Sequence, residues 1–393
     1  MKITPQEALA RLQPSGMRKA KGGGPTLSLA EEIGDAAPLY VFGDGDGNAI
    51  VTTSDSELPA IIGVCEDADF SQPLPPSLID WLGEYEREVE WYQNAQHEPL
   101  DATGAAQGRV STPAMIKTTW AQGTPYNQNL TLGGKKSVTG CNATAISQIM
   151  LYWARQGYVR GCTATPEYTT ATNKYKVAAL PPITAFDFAN MTNGKPTTTA
   201  AKKAIAQLME YVGKAVQSDY APDVTLARLS KDATVLRTML RMGDTSLIYA
   251  SSGASKFEQR IYDEITKKQP VLMAGWRAGG GGHTFVCDGY DAPNDMYHVN
   301  WGWGSYNGYF KLSALNPTAS LAYNSNRMAV VGIRPKYKLG DINGDGVVDV
   351  VDAMQVMQDA LHNGYNEKSD INSDGEVTVT DAMTLIDMVL GKA

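Results

Sequence analysis

Residues 139–153 read TGCNATAISQIMLYW, and the rest of the chain is organised around how that stretch folds. Ile146, Ile149, Met150 and Trp153 recur at i, i+3, i+4 and i+7, a single apolar stripe at helical period, with no Pro or Gly after Gly140 to interrupt it. The pattern predicts a buried helix with Cys141 in its first turn. Unpaired backbone N–H groups and the positive end of the helix dipole favour a thiolate there, and the thiolate is the reactive form. Gly140 lets the backbone turn sharply just before it. A cysteine that opens a helix is more often only a small buried hydrophobe, so a nucleophile requires a matching base elsewhere.

That base should be one of four histidines. His97 lies in a polar, Gly- and Ala-rich stretch and His362 in an acidic tail. His283 opens a strand directly after four glycines, 279–282, which let the backbone come close to whatever lies in front of them. His298 sits inside YHVNWGW, where alternation puts it on the face of Asn300, and a structural role is expected for it. His283 is therefore the expected partner of Cys141.

Composition bounds the alternatives. At 393 residues, 43% of them hydrophobic, the chain is long enough for two or three domains. No apolar run approaches the roughly 18 residues that would span a bilayer. The opening MKITPQEALARLQ is not a charged segment followed by an apolar one, so no secretory signal is visible in it. Four cysteines, Cys65, Cys141, Cys162 and Cys287, are too few for a disulfide scaffold and lack metal-ligand spacing. The net charge of −8 belongs to the tail alone: residues 339–393 hold nine Asp, two Glu and two Lys. The body is not basic enough to expect nucleic-acid binding.

Along the chain, Thr4 and Pro5 start a short helix over residues 3–13. Strands are expected at 39–42, 49–52 and 60–64, the first two joined by GDGDGN, which reads as a turn before it reads as a calcium loop. A long helix begins near Pro75. Residues 97–113 read as an exposed linker open to proteolysis. Helices follow at 201–216 and 234–242, then strands at 271–275, 283–290, 297–303, 308–312 and 328–333. Helices first and strands afterwards is an α+β order, not an alternating one.

GCNATAISQIMLYW, GGHTFVCDGYD and YHVNWGWGSYNGYF together resemble the streptopain family, bacterial cysteine peptidases with a papain-like fold, and the likeness runs over residues 1–335. It implies an inhibitory α+β propeptide followed by a two-lobed catalytic domain, helical lobe before antiparallel sheet lobe. It also implies a role for each matching residue. Cys141 is the nucleophile, His283 the general base, Asn300 the group that orients the imidazole, and Trp301 the ring that shields their contact from water. Gln122, in QGTPYN, is the side-chain donor of the oxyanion hole, whose second donor is the Cys141 backbone N–H. No cofactor is implied for catalysis, and the substrates are proteins or peptides. The chain departs from the family at Asn142, where an apolar residue is expected, and at Ser305, where a further Gly is expected. Two other readings are an inactive homologue that serves as a binding subunit, and a Cys-His acyltransferase of transglutaminase type.

The tail rests on its own spacing. Asp341, Asn343, Asp345, Asp349 and Asp352 occupy positions 1, 3, 5, 9 and 12 of a loop with Gly at position 6, as a calcium ion requires. Asp370, Asn372, Asp374, Thr378 and Asp381 repeat the pattern 29 residues later. Each loop leads into a helix with an apolar face, so the module resembles a dockerin, a small all-α unit with two structural calcium ions that binds a cohesin-type partner. Two calcium loops argue for a secreted protein. The expected organisation is a propeptide over 1–96 that inhibits its own chain, a cleavable linker over 97–113, a peptidase domain over 114–338 and the calcium module over 339–393.

Overall fold

The structure is a computed structural model that describes residues 1–12, 27–94, 108–159, 161–238, 240–276, 282–312, 327–362 and 365–392. In chain order the first elements are α1 (Pro5–Arg11), β1 (Ser28–Ile33), β2 (Leu39–Gly43), β3 (Ala49–Thr53), β4 (Gly63–Cys65) and α2 (Pro76–Asn94). The short hairpins β5 (Thr131–Leu132) with β6 (Lys135–Lys136) and β7 (Tyr168–Thr169) with β8 (Lys176–Val177) flank α3 (Cys141–Ala154). Then come α4 (Thr199–Ala215), α5 (Leu229–Thr238), β9 (Ser246–Tyr249) and α6 (Ala254–Thr266). Strands β10 (Val271–Trp276), β11 (Gly282–Asp291), β12 (Met296–Asn300), β13 (Gly308–Phe310) and β14 (Met328–Val331) precede α7 (Val350–Leu361) and α8 (Val379–Val389). The expected α+β class is what the chain adopts.

Contacts divide the chain into two compact units, one of Met1–Thr119 with Leu247–Val331, the other of Trp120–Ser246 with Gly332–Ala393. In the first, α1 starts at a capping box: the Thr4 hydroxyl accepts from the Glu7 N–H, and the Glu7 carboxylate accepts from the Thr4 N–H at 2.7 Å. The antiparallel strands β1 to β4 do not form a sheet of their own. β4 pairs with β13, Cys65 opposite Gly308 and Gly63 opposite Phe310, so the N-terminal strands extend the sheet order β4-β13-β12-β11-β10-β14. A close approach enforces this pairing, because a Cβ on Gly308 would lie 2.1 Å from the Val64 carbonyl oxygen.

One buried core serves the N-terminal segment and the later strands alike. Leu78, Trp81, Tyr85 and Val89 of α2 and Phe257, Ile261 and Ile265 of α6 pack with Met273, Phe285, Cys287, Val299 and Trp301 of the sheet side. The sequence reading has α2 but neither α6 nor β1. β1, SLAEEI, is an edge strand with an almost wholly exposed surface, so no period-2 signal marks it. In α6 the apolar residues at i, i+4 and i+8 are diluted by eight charged or polar ones.

The expected linker falls mostly on residues 95–107, outside the described residues. Its far end is exposed at Gly108, Val110, Ser111 and Pro113 but anchored at two residues between them. Thr112 is bonded in both directions to Tyr290 at 2.8 Å. Arg109 is buried against Glu258 at 2.5 Å and stacks on the Tyr262 ring at 4.7 Å.

In the second unit, α3 is buried along nearly its whole length and packs on α4. The third helix runs over Leu229–Thr238, earlier than the expected 234–242, because its stripe begins at Leu229 and continues through Ala233 and Leu236. The tail folds as α7 packed on α8 around Ile342, Ala353, Val356, Ile371, Ala382 and Leu385.

Candidate active site

Cys141 is the first residue of α3 and is 7% exposed. Gly140 before it takes φ +89°, and a Cβ there would lie 2.9 Å from Thr225 Cγ2, so both backbone and space demand glycine. The Thr139 N–H donates to the Gln122 carbonyl at 3.1 Å, which lays the Gln122 segment alongside the start of the helix. The Thr139 hydroxyl also bonds that of Thr144 at 3.0 Å, tying the turn before the cysteine to the turn after it. Asn142 is buried: its amide oxygen is 3.4 Å from Cys141 Sγ, and its Nδ2 donates to the Asp232 carboxylate of α5.

His283, Asn300 and Trp301 belong to the other unit. Register places Val286 opposite Asn300 and Phe285 opposite Met273, so Asn300 shares the face of Val286 while alternation turns His283 to the face of Phe285. That second face is the one α2 covers. His283 Nε2 accordingly lies 3.7 Å from Asp80 Oδ2 of α2. The Asn300 amide donates to the Thr118 carbonyl at 2.6 Å and its oxygen accepts from the Gly302 N–H at 3.1 Å. The Trp301 ring lies 4.9 Å from Phe285, 5.2 Å from Phe310 and 5.8 Å from Trp81. Three of the four glycines expected before His283 lie outside the described residues; Gly282 starts β11.

The reading of His298 as structural agrees with its place, its Nδ1 sitting 2.6 Å from the fully buried Asp288 carboxylate. Asp44, in the GDGDGN segment, accepts from the N–H groups of Asp46 and Asn48, as an acidic turn does. Several residues around these sites escape a sequence reading. Asp80 lies in a helix rich in acids and carries no mark of its own. Asp232 does carry one: it interrupts the apolar stripe of α5 at a core-facing position, three residues after Leu229.

The two loops of the tail are built alike. Positions 9 and 12 are the N-cap and third residue of the following helix, Asp349 with Asp352 and Thr378 with Asp381, in two capping boxes. Asp352 also accepts from the Ile342 and Asn343 N–H groups, and Asp381 from that of Asn372, closing each loop on its own start. Asp341 accepts from the Gly344 and Gly346 N–H groups. Among the described residues no three His, Cys, Asp or Glu side chains converge into a ready metal cage. The donor set is nevertheless all oxygen, which suits a hard cation, and Asp370 Oδ1 is a buried acceptor without a hydrogen-bond partner among the described residues. The tail residues fit calcium on those grounds.

Comparison with known proteins agrees with this architecture. Residues 120–310 match the peptidase C10 family and residues 339–390 the dockerin type I domain. Streptopain of Streptococcus pyogenes is 29% identical over 344 residues, covering 79% of this chain and 83% of streptopain. A prointerpain A fragment of Prevotella intermedia superposes with a TM-score of 0.65 at 27% identity, covering 79% of this chain and all of the fragment. Active interpain A, a cysteine protease of the same organism, matches at 30% identity with a TM-score of 0.50, covering 57% of this chain and 95% of interpain A. The chain belongs to the peptidase C10 family of cysteine peptidases, the streptopain family, and carries a dockerin type I domain.

Proposed function

We propose that the chain is a secreted cysteine endopeptidase made in a latent form, with Cys141 as nucleophile and His283 as base. Cys141 attacks the scissile carbonyl as a thiolate, the imidazolium of His283 passes its proton to the leaving amine, and water then hydrolyses the acyl-enzyme. Gln122 and the Cys141 N–H donate to the developing oxyanion, Asn300 orients His283, and Trp301 keeps water from their contact.

One observation carries the latency: His283 faces Asp80 of the N-terminal helix α2, on the sheet face opposite Asn300. While residues 1–96 stay in place the base has a carboxylate partner that belongs to the propeptide. Cleavage in 97–113 removes that partner and frees His283 to turn toward Asn300. In the tail, Asp341, Asn343, Asp345, Asp349 and Asp352 hold one calcium and Asp370, Asn372, Asp374, Thr378 and Asp381 a second. The ions order the loops, and the α7–α8 pair serves a cohesin-type partner.

The test is incubation of the intact chain, with and without Cys141→Ala, followed by N-terminal sequencing and a peptide-hydrolysis assay. A new N-terminus within 97–113 and a rise in hydrolysis, both absent from Cys141→Ala, are expected. Full hydrolysis by the uncleaved chain would end the latency reading, and none by the cleaved chain would end the peptidase reading.

A further inference from the structure

Asn142, where an apolar residue was expected, connects the cysteine to a buried acid. Its oxygen stands 3.4 Å from Cys141 Sγ and its Nδ2 donates to Asp232 Oδ2, with Asn142 2% and Asp232 0% exposed. The other oxygen of Asp232 is buried without a hydrogen-bond partner among the described residues. Burial pushes this carboxyl up to about 7, against the opposing pull of the Asn142 amide. Several charged residues of the same unit are engaged with other partners. Lys231 donates to Gln217 at 2.6 Å, Arg237 to the Thr245 carbonyl at 3.0 Å, and Asp219 accepts from Thr172 at 2.6 Å. On α4, Lys214 pairs with Glu210 at 2.9 Å, while α3 has no charged residue at all. Among the described residues no ion pair reaches Asp232.

We propose that Asp232, acting through the Asn142 amide, sets whether Cys141 holds or releases its proton; the proposal rests on the reading of Cys141 as nucleophile. An ionised Asp232 can only accept. It takes the Nδ2–H of Asn142 and so keeps the amide oxygen toward the sulfur, where that oxygen accepts the S–H and repels a thiolate. A protonated Asp232 can donate. The amide then turns over, its oxygen accepting from the carboxylic O–H and its Nδ2–H donating to the thiolate. The sulfur's proton leaves to the base or to water as one from water arrives on Asp232, and no other reactant is needed. Asp232 is a positioning residue, two hydrogen bonds from the sulfur.

The readout is the alkylation rate of Cys141 by iodoacetamide in the full chain, followed peptide by peptide in a mass spectrometer between pH 5 and 9. Because iodoacetamide reports the thiolate whatever the enzyme does, a failure here is separate from a failure of the peptidase reading, which the hydrolysis assay decides. Asp232→Asn keeps the shape and can donate to the amide oxygen at every pH. It should alkylate about tenfold faster than the parent chain at pH 8, one unit of thiol pKa, and at the same rate below pH 6. In an Asn142→Val background the same substitution should add less than about twofold, since the amide is gone. Equal rates at pH 8 would overturn the proposal. Equal acceleration with and without Asn142 would also overturn it, leaving Asp232 as merely a nearby charge. Should Asp232→Asn fail to fold, Asn142→Val alone decides: its profile should be a single titration, where the parent shows a second inflection near pH 7.

Discussion

Cys141 and His283 are held by different kinds of neighbour. Cys141 is placed by its own helix, by the Gly140 turn and by Gln122, Thr225 and α5. His283 stands on a strand whose sheet is extended by β4 and covered by α2, and its carboxylate neighbour Asp80 comes from the far N-terminal part of the chain. Residues 1–96 thus supply a neighbour of His283, the proposed base. On the proposed reading, removing that segment changes the surroundings of the base, as a latent enzyme requires.

The harshest test of that contrast removes the two groups themselves. Cys141→Ala and His283→Ala should each abolish peptide hydrolysis by the processed enzyme, a loss of at least about 10⁴-fold, and the double variant should be no worse, because nucleophile and base act as a unit. A His283→Ala enzyme with most of its turnover would remove His283 from the chemistry and with it the comparison. Asn300→Ala should be milder, since Asn300 orients without exchanging a proton.

The next effect is on stability and concerns where the base's half begins. Arg109 lies buried between Glu258, the Tyr262 ring and the Tyr297 hydroxyl, which its guanidinium reaches at 3.2 Å. Removing one partner of a buried ion pair typically costs about 3–5 kcal/mol. Arg109→Ala should therefore lower the denaturant midpoint by a corresponding amount, and Arg109→Lys should recover only part, since lysine has neither the fork nor the flat stacking face. An activating cut within 97–113 is therefore expected to fall before Arg109, which would keep this anchor. A processed enzyme that begins beyond it yet unfolds at the same denaturant concentration would show that the anchor carries no load.

Much of this was legible in the sequence, and the exceptions have causes. The stripe Ile146, Ile149, Met150 and Trp153 marked α3 because a helix buried on all sides still keeps its period. The calcium-type spacing marked the tail because positions 9 and 12 double as helix caps, so two constraints select the same residues. The sharing of one sheet between β4 and β13 was not legible, since strand pairing across some 240 residues leaves no local pattern. The facing of His283 toward Asp80 was hidden for the same reason. In the far flank of the linker the anchoring of Arg109 was not legible either, because Glu258 and the tyrosines around it lie about 150 residues or more away in sequence.

A smaller effect addresses the contact between Asp80 of α2 and His283 directly. Asp80 and His283 are both only partly exposed and 3.7 Å apart, and pairs of that kind contribute at most about 1 kcal/mol. Asp80→Ala in the intact chain should therefore raise the rate of self-processing by no more than about fivefold, leaving the processed enzyme unchanged because Asp80 has then departed. No change in processing rate would shift the inhibition from this contact to the packing of α2 on Trp301 and Phe285.

The smallest expected effect on hydrolysis is from calcium, and its smallness is the informative part. Loop one gathers four carboxylates, Asp341, Asp345, Asp349 and Asp352, whose mutual repulsion opposes folding when no cation is present. Loop two gathers three, and Arg241 adds a counter-charge: it pairs with Asp370 at 2.7 Å and donates to the Asp370 and Glu367 carbonyls at 3.0 and 3.2 Å. A chelator should therefore loosen residues 341–352 before 370–381, seen as earlier hydrogen exchange, then as lost helix signal and faster proteolysis beyond residue 338. Asp352→Ala and Asp381→Ala should imitate the chelator one loop at a time, because the position-12 carboxylate holds the start of its loop through the N–H groups of Ile342 and Asn343 or of Asn372. Hydrolysis of a small peptide by the processed enzyme should change by less than about twofold throughout, since none of the contacts named above for Cys141 or His283 comes from these loops. Loss of hydrolysis on chelation, with the tail already deleted, would place a calcium ion among the catalytic elements and make one half of the comparison depend on metal.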